Sequence, residues 1–84
     1  MNKQAILDNL CYTKLVYGRI NKKLQTRLTN EQIEAYLFRV LTETDETCYT
    51  RTGKNFYVVN QLHNIRITIN SSTYRVITAD RIEK

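Results

Sequence analysis

Lys54, Tyr57, Arg66 and Arg75 carry the side chains needed to hold a phosphodiester strand: one ring on which a base can stack and three cations for the backbone. They lie in a stretch, Thr47 to Ala79, that contains no carboxylate and also holds Arg51. A second acid-free stretch, Asn9 to Asn30, carries Lys14, Arg19, Lys22, Lys23 and Arg27. The acids are confined to Asp8, to Glu31 and Glu34, to the Glu43–Asp45–Glu46 cluster, and to Asp80 and Glu83. With a net charge of +5, the chain favours acidic partners, either nucleic acid or an acidic protein surface. The segregation concentrates positive potential only if Lys14, Lys22, Lys23 and Arg27 lie beside the second stretch in space. Otherwise each run is an ordinary solvated face.

Other chemistries find less support. His63 is the sole histidine, and as a general acid or base it needs a positioned partner. No carboxylate is near it in sequence; Asp80 is the one expected to approach it, at the end of the last strand. Lys54, Tyr57, Arg66 and Arg75 could instead stabilise a phosphorane-like transition state without histidine. Cys11 and Cys48 are isolated and too few for a metal centre, so neither metal nor cofactor is expected, and no residue is singled out as catalytic. The stretch Gly53-Lys54-Asn55 lacks the glycine run and following helix of a phosphate loop and reads as turn chemistry. The beginning MNKQAILDNL has no apolar run of the signal-peptide kind, and no stretch is long enough to span a bilayer, so a cytoplasmic protein without membrane contact is expected.

The elements that position these residues divide the chain into a helical part, 1–42, and a β part, 47–79, of one domain spanning 1–84. Ile6, Leu7 and Leu10 mark a short amphipathic helix. Thr13 is the expected cap of a second, with Val16, Ile20 and Leu24 on one face; the alternative is that the two run as one bent helix. Thr29 and Gln32 form a capping box, with a staple from Leu28 to Ile33, before a helix bearing Ile33, Leu37, Val40 and Leu41. From Cys48 the period changes to two. Gly53 marks a hairpin turn, and Ile65, Ile67 and Ile69 alternate with polar residues.

A two-residue turn at Ser71-Ser72 would set Arg66 opposite Ile77 and Ile67 opposite Val76. A four-residue loop, Gln61 to Asn64, would add Phe56 and Val58 to the apolar face, and Tyr57 and Val59 to the face of Arg66 and Arg75. The expectation is an α+β fold: two to three N-terminal helices on one face of a three- to four-stranded antiparallel sheet.

The segments TKLVYGRINKKL, TGKNFYV, IRITIN and TYRVITAD together resemble a family of small bacterial proteins catalogued as a domain of unknown function and common in low-GC Gram-positive bacteria. That resemblance implies a cytosolic bacterial protein and supplies no catalytic residues. The order of helices before sheet is also that of the RelE- and barnase-like ribonucleases, a likeness of fold alone. Three readings of the outer sheet face stay open: an RNA-favouring nucleic-acid site, a protein or homodimer contact through a Val59–Ile77 strip, or good strand formers facing water. A metal-independent ribonuclease is a further alternative.

Overall fold

The reciprocal cap expected at Thr29 sets the start of the longest helix. Gln32 N–H donates to Thr29 Oγ1 at 3.1 Å, and Thr29 N–H donates back to Gln32 Oε1 at 2.9 Å. A computed structural model describes residues 2–83. Its helices are α1 (Lys3–Asn9), α2 (Val16–Leu24) and α3 (Asn30–Glu43), followed by a 3-10 turn (Glu46–Cys48) and strands β1 (Tyr49–Thr52), β2 (Asn55–Asn60), β3 (Ile65–Asn70) and β4 (Val76–Arg81). The α+β expectation therefore holds, with separate first and second helices rather than one bent helix.

Thr13 does not cap α2. The helix starts at Val16, whose N–H reaches the Thr13 carbonyl at 3.2 Å, and no side chain caps it. The cause is tertiary. Cys11 forms a parallel bridge with Arg75 before β4, which holds the chain extended up to the turn at Lys14 and Leu15. At the other end of α2, left-handed Gln25 (φ 58°) closes the helix, its N–H bonded to the carbonyls of Asn21 and Lys22. The Asn21 side chain then bonds both backbone groups of Leu28, which sets the path into α3.

The strands form an antiparallel meander in the order β1-β2-β3-β4. Gly53 supplies the positive φ (60°) that the first residue of a II′ hairpin turn requires. The β2–β3 register is the one a Gln61–Asn64 loop demands, with Asn60 opposite Ile65 and Phe56 opposite Ile69.

The β3–β4 register differs from expectation. Asn70 N–H bonds the Arg75 carbonyl, so the loop has four residues instead of two, and Tyr74 takes a left-handed conformation (φ 59°). The Asn70 carboxamide holds this wider loop by accepting from the N–H groups of Ser72 and Thr73, at 2.8 and 2.9 Å. Ile69 then faces Val76 while Thr68 faces Thr78, and the irregularity leaves Ile77 as the extra residue of a bulge. Ile67 lies opposite Ala79, not Val76, and Arg66 lies opposite Asp80, not Ile77.

The helices cover the inner sheet face. Ile6, Ile20, Ile33, Leu37 and Leu41 share one core with Val58, Ile65, Ile67 and Ile69, all fully shielded from solvent. Each such aliphatic side chain contributes about 1.5–3 kcal/mol on burial. α2 lies along β4, so its cations come to the sheet edge. Among the described residues, no helix is long and apolar enough to cross a membrane.

Candidate functional site

Residues directly opposite in a ladder share a face, so Tyr57, Thr68 and Thr78 form one row of the outer face, and Val59, Arg66 and Asp80 the next. The two rows lie about 7 Å apart along the strands. Tyr57 and Arg66 thus share the outer face, one row apart. The face is not acid-free, however. Asp80 stands across from Arg66, with Oδ2 at 3.6 Å from Nη2, and its other oxygen is 3.2 Å from Lys23 Nζ on α2.

The expected cluster loses two members. Arg75 pairs at the level of Asn70, four positions along β3 from Arg66 and so about 13 Å away. It lines a separate groove with Arg19, Val16 and Ile77. Lys54 is exposed in the β1–β2 turn, where its carbonyl accepts from Ser71 N–H at 2.8 Å, at the same end of the sheet as Arg75. The bulge also takes Ile77 out of the expected Val59–Ile77 strip, and Ile77 lines the groove beside α2 instead.

The structure joins other cations that the sequence kept apart. Lys22, Lys23, Arg66 and Arg81 line a groove of about 700 Å³ beside β4, together with Asp80 and Glu83. Lys22 and Lys23 occupy the last turn of α2, where the negative end of the helix favours cations. Lys14 and Arg27 do not line this groove; both are exposed, before and after α2. Arg81 is not among the expected residues; it lies beyond the β part expected over 47–79, whereas β4 runs on to Arg81. In the ladder it stands opposite buried Ile65, so alternation alone would assign it to the apolar face and gives no signal for it.

His63 is half-buried and does not meet Asp80. Its Nε2 lies 3.0 Å from Glu43 Oε1 at the end of α3, its N–H donates to Asn60 Oδ1, and its ring meets Tyr36 edge-on. The hydrogen bond from His63, followed by that from Arg39, holds the Glu43 carboxyl below the usual carboxylate range. With Nε2 held by Glu43, only Nδ1 remains for other chemistry, and the pair acts as a tether between α3 and the β2–β3 loop. On the helical side, a hydrogen bond to Glu34 is the main cause that pushes the Tyr17 hydroxyl up to about 12. Both cysteines are free and exposed, and among the described residues no group of three or more His, Cys, Asp or Glu side chains could hold a metal ion.

A family model described as "Protein of unknown function (DUF3781)" matches residues 4–80. No curated protein and no solved structure matches the chain.

Proposed function

The chain belongs to the DUF3781 family, described as being of unknown function, and we propose that it is a binding module for single-stranded nucleic acid, RNA by preference, acting in a bacterial cytoplasm. The observation that supports this reading is the groove in which Lys22 and Lys23 of α2 meet Arg66 and Arg81 of the sheet. Arg66 belongs both to that groove and to the outer face of Tyr57, so a strand can stack a base on the ring while its phosphates reach the groove. Tyr57 is half-buried beside buried Thr68, so what it can offer is one ring to a splayed single-stranded base and not a broad face to a duplex.

The outer face offers a second copy of the chain little to bury. Val59 is its one aliphatic residue in the paired rows, because Ile77 has turned toward α2. A ribonuclease reading is weakened by the separation of Arg75 and Lys54 from Arg66, since the cations it needs around one phosphate lie at different ends of the sheet.

Fluorescence anisotropy with a labelled single-stranded RNA tests the proposal. Tyr57→Ala is expected to weaken binding by about 5- to 150-fold, the worth of one stacked base. Arg66→Ala should reduce the dependence of log affinity on log salt by about 0.7, one phosphate contact on a single strand. Binding that ignores salt, or that survives both substitutions unchanged, would refute it. Sedimentation as a dimer that masks Tyr57 would favour the protein-contact reading instead.

A further inference from the structure

The geometry points to a second binding site, at the other end of α2, for a short-chain aliphatic carboxylate. It is a groove of about 270 Å³ between the start of α2 and the bulge of β4, and two arginines, Arg19 and Arg75, line it. Neither has a carboxylate partner among the described residues, and no acidic residue lines the groove. This sets it apart from the larger groove, where Asp80 already engages Lys23 and Arg66.

Thr13 and four aliphatic residues complete the lining; Val16 and Val76 are buried in the core, so Leu15 and Ile77 supply its accessible apolar surface. Leu15 is 83 % exposed, so a large apolar side chain stands in solvent beside two unpaired guanidinium groups. Ile77 is there because the bulge turns it out of the strand alternation, and Arg75 because left-handed Tyr74 ends the loop just before it.

These features select a ligand class. Arginine matches a carboxylate with paired N–H donors, which fixes the head of the ligand. Leu15 and Ile77 favour a hydrocarbon tail over an inorganic anion, which would leave those two side chains wet. No aromatic ring lines the groove, so a nucleobase would find nothing to stack on. The volume lies below the usual range for drug-sized ligands, which begins at about 300 Å³, and points to a small acid.

The experiment is an amide chemical-shift titration of the full chain with butyrate, pentanoate and hexanoate, with hexan-1-ol as the uncharged control. Saturable shifts are expected at Leu15, Val16, Arg19, Arg75 and Ile77, with affinity rising with each added methylene by up to about fourfold, the value for full burial. Hexan-1-ol should bind far more weakly. The double variant Arg19→Gln/Arg75→Gln, altered only at exposed side chains, should keep its thermal midpoint and lose hexanoate binding. Equal binding of acid and alcohol, retained binding in the double variant, or no saturable shifts would overturn the assignment. Tighter binding of a peptide ending in a free leucine carboxylate than of hexanoate would overturn the choice of a small acid. None of these outcomes depends on RNA binding.

Discussion

Asp80→Asn is expected to tighten RNA binding while slightly weakening the fold. The Asp80 carboxylate lies 3.2 Å from Lys23 Nζ and 3.6 Å from Arg66 Nη2, so a phosphate arriving at either cation approaches it to about 6 Å, the width of one ammonium. Two like charges at that separation repel by about 0.7 to 3 kcal/mol for effective dielectric constants between ~80 and ~20. Lys23 and Arg66 are 51 % and 52 % exposed but Asp80 only 17 %, which places the interaction between the two limits, at about 1–2 kcal/mol, or about 5- to 30-fold in affinity. Solvent screening also limits what the two ion pairs add to stability, to no more than about 1 kcal/mol. For a chain of this length that caps the loss at about 4–8 °C in Tm. Anisotropy titrations of both proteins over a series of salt concentrations, with Tm measured alongside, provide the assay. Affinity that is unchanged or reduced, with the Tm loss within that cap, would show that Asp80 does not compete with a bound phosphate and would refute the reasoning.

Two further outcomes bear on the scaffold. Glu43 is held below its ordinary 4.5 by His63 and Arg39, so its contribution is fully present above that value and is lost as pH falls through the lowered folded one. Urea midpoints of Glu43→Gln across the acidic range should therefore fall less steeply than those of the parent; parallel curves would exclude the linkage. Thr29→Ala removes the acceptor for Gln32 N–H and should cost about 0.5–2 kcal/mol by urea denaturation.

The parts legible in the sequence are those fixed by local rules. The capping box needs only Thr29 and Gln32, the β1–β2 turn needs only Gly53, and the β2–β3 register follows from one loop length. The β3–β4 connection escaped because Tyr74 adopts a backbone conformation its residue type disfavours, held by Asn70 and the Cys11 bridge. One misjudged loop displaced Arg75 from Arg66 and removed Ile77 from the outer face. The pairs Lys23–Asp80 and His63–Glu43 join different elements, and only the assembled layers bring them together. The candidate site was therefore half visible: Tyr57 and Arg66 by alternation, Lys22 and Lys23 as a charge run, and their meeting only in three dimensions.

Every ladder of the meander joins strands that follow one another along the chain, whereas the Cys11–Arg75 bridge joins a residue near one end to a residue near the other. Pairing of neighbours closes short loops and is fast; the bridge must close nearly the whole chain and carries the larger entropic cost. The meander can thus assemble before the N-terminal segment docks on β4. The groove of Arg19 and Arg75 takes one arginine from each side of that closure, so it comes into being only when the chain's two halves have met.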